Sequence, residues 1–248
     1  MNFLSLFKRK LLYQIKKKIS IDNDEFNSES LDALFNYYGS DKANIEKFSK
    51  TQGHGFSKFY IEKLQHLREK KINILEIGSF AGASAASFIK YFKNSKVFCF
   101  DINISKFKFS SKRIQVFDLD IKNEKKVYKT LKYIFEKNDF KEFDLIIDDG
   151  SHNLSDIFLG LKIFLKYLKS KGFYIIEDYK HPNYYKNNKD IDEILIDSLL
   201  EKISKKSFFK SKIFNKSLQT DLFNSIDEVV AFKGNLKDSD ICFLKKSD

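Results

Sequence analysis

The stretch DEVVAFKGNLKDSDICFLKK, residues 227–246, decides the topology. Two apolar runs, DEVVAFKG (227–234) and DICFLKK (240–246), are joined by a short loop that opens on Gly234 and Asn235. So short a connection cannot hold a crossover, so the two strands must pair antiparallel. Upstream the rhythm differs. INILEIG (72–78), KVFCFDI (96–102), RIQVFDL (113–119), FDLIIDD (143–149) and GFYIIED (172–178) are short and apolar nearly throughout, and 81–93, 123–138 and 153–170 can be helical between them. Strands of that kind alternating with amphipathic helices predict a parallel sheet covered on both faces. With a further helix over 189–205 leading into the hairpin, the expected fold is α/β, five parallel strands closed by an antiparallel pair.

The parallel strands carry acids at or near their C-terminal ends: Glu76, Asp101, Asp118 with Asp120, and the doublets Asp148/Asp149 and Glu177/Asp178. In an open α/β sheet ligands bind outside those ends. Crowded carboxylates repel one another and call for a cation or for donors; capping of the following helices accounts for one or two acids but not for the doublets. In LEIGSFAGAS (75–84), Glu76, Gly78 and Gly82 surround a strand-to-helix turn where glycine lets backbone approach a ligand closely. The spacing departs from the dinucleotide pattern G-x-G-x-x-G, and Asp101 suits the ribose hydroxyls of either NAD or S-adenosylmethionine (SAM). The hairpin chooses between them, because a parallel five-strand sheet finished by an antiparallel pair is the layout of class I SAM methyltransferases.

DDGSH (148–152) followed by IIED (175–178) is the more specific signal. Two doublets on adjacent strands can offer hard oxygen ligands to a Mg2+-type ion, and Gly150 lets the chain turn so that His152 faces the same cleft. An imidazole, with an ordinary pKa near 6.5, is suited to accept a proton there. After the second doublet, YKHPNYYKNNK (179–189) sets Tyr179, Lys180, His181 and Tyr184 beside the expected metal, aromatic faces and ammonium groups of the kind that suit a sugar and a diphosphate.

At these residues the chain resembles the metal-dependent SAM sugar O-methyltransferases of the macrolide mycinamicin type and related enzymes of bacterial polysaccharide biosynthesis. YGSDK, HGFSKFY, LEIGSFAGAS, FDI, FDLD, DDGSH and IIED occur in the family's order over residues 36–246. The resemblance implies that Asp149, Glu177 and Asp178 ligate a divalent cation, Mg2+ or Mn2+, with Asp149 and His152 catalytic and His152 the general base. It puts Glu76, Gly78, Asp101 and Asp118 on SAM, with Gly82 and Asp148 expected on the same cofactor. Lys42, His54 and Tyr60 match positions near the cofactor mouth, where they also suit a lid tied to the domain. The implied reaction is methyl transfer to a sugar hydroxyl. A nucleotide-activated sugar such as a heptose, for capsule or lipopolysaccharide, is the expected substrate. A metal-free small-molecule or nucleic-acid methyltransferase and a non-catalytic membrane-associated scaffold are the competing readings.

The formal charge of +11 suits a nucleic acid, an anionic lipid surface, a phosphorylated substrate or a lysine-rich solvated surface. The basic residues are dispersed, so no nucleic-acid partner is expected. Cys99 and Cys242 lie in apolar runs without metal spacing, which predicts two buried thiols in a reducing cytoplasm. In MNFLSLFKRKLLYQIKKKIS (1–20), Leu4, Phe7, Leu11, Ile15 and Ile19 make one stripe on a basic helix, expected to dock on the domain or a second subunit, or to touch the inner face of the membrane. The expected organisation is a basic helix and hinge (1–35), a helical lid (36–70) and a methyltransferase domain (71–248).

Overall fold

A computed structural model describes residues 3–180 and 193–248. The chain divides into two compact units, Met1–Thr130 and Leu131–Asp248.

The first unit holds α1 (Phe3–Ile15), β1 (Ile19–Ser20), α2 (Leu31–Tyr38), α3 (Ser57–Leu64), β2 (Lys71–Ile77), α4 (Ala83–Tyr91), β3 (Asn94–Asp101), β4 (Phe109–Ser110) and β5 (Ile114–Asp118), with α5 (Glu124–Asn138) at the division. β2 and β3, and β3 and β5, pair in parallel. The β3–β5 register sets Asp101 directly opposite Asp118, so two of the strand-end acids stand at one level.

α2 is fixed at both ends by local chemistry. The Ser30 hydroxyl accepts the Ala33 N–H at its start, and Gly39, in the left-handed region, donates its N–H to the Phe35 and Asn36 carbonyls at its end. Leu31, Leu34, Phe35 and Tyr38 recur at helical spacing and are buried, with the Phe35 ring edge-on to Phe88 of α4 at 5.5 Å. α3 stops at Leu64 and continues only as one tight turn, Gln65–Leu67. Its buried face is Phe59, Tyr60 and Leu64, while Ile61 and Leu67 are half-buried.

In the second unit lie β6 (Phe143–Asp148), α6 (Leu154–Phe164), β7 (Leu168–Glu177), α7 (Ile196–Ser204), α8 (Lys216–Ser225), β8 (Ile226–Lys233) and β9 (Asp240–Lys246). β7 pairs parallel with β6 and antiparallel with β9, and β9 pairs antiparallel with β8. The sheet therefore reads β5-β3-β2 in the first unit and β6-β7-β9-β8 in the second, five parallel strands and a C-terminal antiparallel hairpin as expected. β9 sits between β7 and β8, and its Ile241, Cys242, Phe243 and Leu244 are buried accordingly. The helix expected to reach residue 170 ends earlier, and β7 opens at Leu168, opposite Phe143. α8 was not anticipated; its start is marked by Asn215, whose side chain accepts the Leu218 N–H. Both cysteines are buried free thiols.

Candidate metal centre and cofactor turn

The first unit builds a turn between β2 and α4. Gly78 and Gly82 take φ of 85° and 79°, and Phe80 between them is held at φ 42°, a conformation that bulky side chains rarely adopt. A Cβ on Gly82 would lie 2.4 Å from Phe107 Cζ, so only glycine fits where α4 begins. The strained loop is tied to β3: the Phe80 N–H donates to Asp101 Oδ2 at 2.7 Å and the Asn103 N–H to Asp101 Oδ1 at 2.6 Å. Asp101 thus shapes the cradle, and each of its oxygens keeps a lone pair for a further donor. Glu76 is fully buried and accepts the Ser84 hydroxyl from the first turn of α4, with the Cys99 thiol 4.0 Å from its other oxygen. Burial first, and the Glu76 charge second, push the Cys99 thiol well above its ordinary pKa, which keeps it inert. Asp118 is half-buried, 4.0 Å from the Lys126 ammonium.

In the second unit the ends of β6 and β7 bring Asp149, His152 and Asp178 together, one ligand atom from each lying within 4.8 Å of the others. His152 Nε2 is 3.9 Å from Asp149 Oδ1. His152 (φ 55°) and Asp178 (φ 48°) both sit in the left-handed region, so two of the three are held in conformations that cost free energy. Asp178 is buried and the other two are half-buried. Two carboxylates and an imidazole around one point fit a divalent cation: the carboxylates suit Mg2+ or Mn2+, and the imidazole suits Mn2+ or softer ions better than Mg2+.

Other residues singled out by sequence lie elsewhere. Glu177 is 1% exposed and stands outside this group. Asp148 is also buried; it accepts the Tyr174 hydroxyl at 3.2 Å beneath α6, where a Cβ on Gly160 would come within 2.8 Å of both Asp148 Oδ2 and the Tyr174 oxygen. Burial pushes Asp148 up to about 7, against the hydrogen bonds from Tyr174 and the Gly150 N–H, with the charges of Asp149 and Asp156 adding to the rise. Tyr179 is 2% exposed, so little of it is open to a ligand. Lys180 reaches Asp240 at 3.7 Å. His181 and Tyr184 lie outside the described residues. Lys42 and Tyr60 are buried, and His54 is half-buried, 4.0 Å from Asp41. Asp156, which sequence reading passed over, accepts the Ser151 hydroxyl at 2.6 Å and so braces the turn that carries His152. Its signal was its place in the first turn of α6, where acids favour the helix dipole.

No family model matches the chain. Over 134 residues it is 31% identical to the L-olivosyl-oleandolide 3-O-methyltransferase of Streptomyces antibioticus, a match covering 50% of this chain and 32% of that relative. The chain is also similar to solved structures of the MycE methyltransferase of the mycinamycin biosynthetic pathway. One, in complex with Mg and SAH, has a TM-score of 0.64 at 16% identity over 90% of this chain and 55% of the other. A second, with Mg, SAH and mycinamycin VI, gives 0.63 at 16% identity over 88% and 54%. The fold is therefore the Rossmann-like α/β fold of the methyltransferases, while the chain spans about a third of the curated relative (32%) and about half of MycE (55%).

Proposed function

We propose that this chain is a SAM-dependent, divalent-metal-dependent O-methyltransferase acting on a sugar hydroxyl. The observation that carries the reading is the convergence of Asp149, His152 and Asp178 within 4.8 Å. It is supported by the partial sequence match to a sugar O-methyltransferase and by the fold shared with MycE, which binds Mg and SAH.

An alcohol is a poor nucleophile near neutral pH. A divalent ion, when bound, lowers the pKa of a hydroxyl on it and fixes the direction of attack. Asp149 and Asp178 would hold that ion. His152, close enough to meet a hydroxyl at the same point, accepts its proton at Nε2. The SAM methyl passes to the oxygen as the S–CH3 bond breaks, the O–CH3 bond forms and S-adenosylhomocysteine leaves. Glu76, Gly78, Gly82, Asp101 and Asp118 are the proposed SAM residues. Their contribution is orientation, since an in-line displacement needs the sulfonium carbon fixed before the oxygen arrives.

A nucleotide-activated sugar, such as a heptose destined for capsule or lipopolysaccharide, is the proposed substrate. The aromatic and cationic composition of residues 179–189 and the +11 charge support an acceptor carrying a diphosphate. The test is methyl transfer from SAM to a panel of nucleotide sugars with Mg2+, with Mn2+ and with a chelator, read as S-adenosylhomocysteine formed. Transfer that needs the metal and a sugar nucleotide supports the proposal. Transfer to the same acceptors in chelator contradicts the metal, and transfer only to RNA moves the chain to the nucleic-acid reading.

A further inference from the structure

The stripe on α1 does not face the protein. Leu4, Phe7, Leu11 and Ile15 recur at helical spacing, and each is between 46% and 72% exposed. The helix rests on the turn at Ile104–Lys106, and Leu6, Arg9 and Tyr13, four or so residues apart on the opposite side, are its partly buried members. At its C-terminal end Lys18 pins the arrangement, its ammonium donating to the Phe107 carbonyl at 2.5 Å and lying 3.7 Å from the centre of the Tyr13 ring. One face thus holds α1 on the body while the apolar face is presented outward.

The charge on the helix itself is of one sign. Residues 1–20 carry six Lys and Arg and no acid, and Lys8, Lys10, Lys16 and Lys17 are all exposed. The patch continues past the helix. Ile19, the next member of the stripe, lines a hollow of about 190 Å3 together with Phe48, Lys47 and Lys108, and with Asp24, whose carboxylate accepts the Tyr37 and Tyr38 hydroxyls. Phe48 is 75% exposed, with the Lys47 and Lys108 ammonium groups 5.9 and 5.8 Å from its ring centre.

We propose that α1, continued by Ile19 and Phe48, docks on the surface of an anionic bilayer. Apolar side chains facing out and rimmed by lysines match a membrane interface: the hydrocarbon enters the headgroup boundary and the ammonium groups meet lipid phosphates. A second copy of the chain fits this face worse. Antiparallel pairing of two such helices would bring like charges together, and the helix has no acid to offset them. The inference does not rest on the proposed reaction, and a soluble or a lipid-linked acceptor is equally consistent with it.

The test is sedimentation of the whole chain with vesicles of phosphatidylcholine alone and of equimolar phosphatidylcholine and phosphatidylglycerol. The chain is expected on the anionic vesicles, at least about tenfold more tightly than on the neutral ones, and raised salt should release it. Lys8→Gln with Lys17→Gln should weaken binding about 25-fold, at roughly fivefold for each charge. Phe7→Asp with Leu11→Asp should abolish it, with circular dichroism unchanged because both positions lie on the exposed face, 61% and 46% exposed. Equal binding to both vesicles, or none to either, overturns the proposal. So does a lipid-free dimer that the Phe7→Asp, Leu11→Asp chain no longer forms, which would give the face to a second copy.

Discussion

His152 Nε2 lies 3.9 Å from Asp149 Oδ1, and the backbone of His152 is held in the left-handed region to put it there. A left-handed backbone is uncommon for any residue other than glycine, and here it falls within a ligand-competent cluster, which supports the proposed role of His152. On the proposed role of His152 as proton acceptor, His152→Ala should lower kcat about 10²–10⁴-fold while leaving metal affinity unchanged. The paired measurement is Mn2+ calorimetry. A parallel loss of metal affinity would make His152 a third ligand instead.

Glu177, which the resemblance puts on the ion, is not among the three ligand-competent residues that converge. It is buried and stands outside the cluster, so Glu177→Gln should leave metal affinity within about threefold of the wild type. A large loss, read by the same calorimetry, would mean that Glu177 turns into the site when the ion binds.

Asp148 gives the protein a pH dependence of the less usual sign. Its carboxyl is pushed up to about 7 by burial, above its ordinary value near 3.8, so between these limits the folded chain holds a proton that the unfolded chain has lost. This group's contribution is present at low pH and is lost as pH rises toward 7, by roughly 4 kcal/mol. Asp148→Asn, which still accepts the Tyr174 hydroxyl, should flatten that part of the profile and raise Tm near neutral pH. Denaturant titrations of the metal-free chain across pH 4.5–7.5 check it, the range being set by the two pKa values. An unchanged slope would place the raised group elsewhere.

Gly82 starts α4 with a positive φ and touches a fully buried phenylalanine, so Gly82→Ala must move either the turn or Phe107. The expected cost is about 1–3 kcal/mol, a fall of several degrees in Tm, with weaker SAM binding because the cradle is displaced. Differential scanning calorimetry with and without SAM separates the two effects. Loss of stability with SAM affinity intact would remove this turn from the cofactor site.

Much of this was legible before any coordinates. The hairpin at 226–246 was readable because a short Gly-Asn loop permits only one pairing, and the parallel strands because a buried strand has to be apolar on both faces. Helix ends were read less well: α6 gives way to β7 at Leu168 because that residue pairs with Phe143, a non-local preference that helical spacing cannot show. At the site, DDGSH announced Asp149 and His152, and IIED announced Asp178. For the first doublet the resemblance chose Asp149 over Asp148, whereas for the second it put both Glu177 and Asp178 on the ion and left the choice between them open. The outcome depends on the left-handed backbone at Asp178 and on the Tyr174 hydroxyl, which holds Asp148 beneath α6. For α1 the sequence showed the stripe, but only the packing of Leu6, Arg9 and Tyr13 showed that it faces outward.

The most direct measurement is calorimetry of SAM and then of a nucleotide sugar, with Mg2+ and with a chelator, on the wild type and on Asp149→Ala. The expected result is that SAM binds in every case, while the sugar nucleotide binds only with metal present and Asp149 intact. Sugar-nucleotide binding that ignores both the chelator and Asp149→Ala would contradict a metal centre held by Asp149 and Asp178 beside His152.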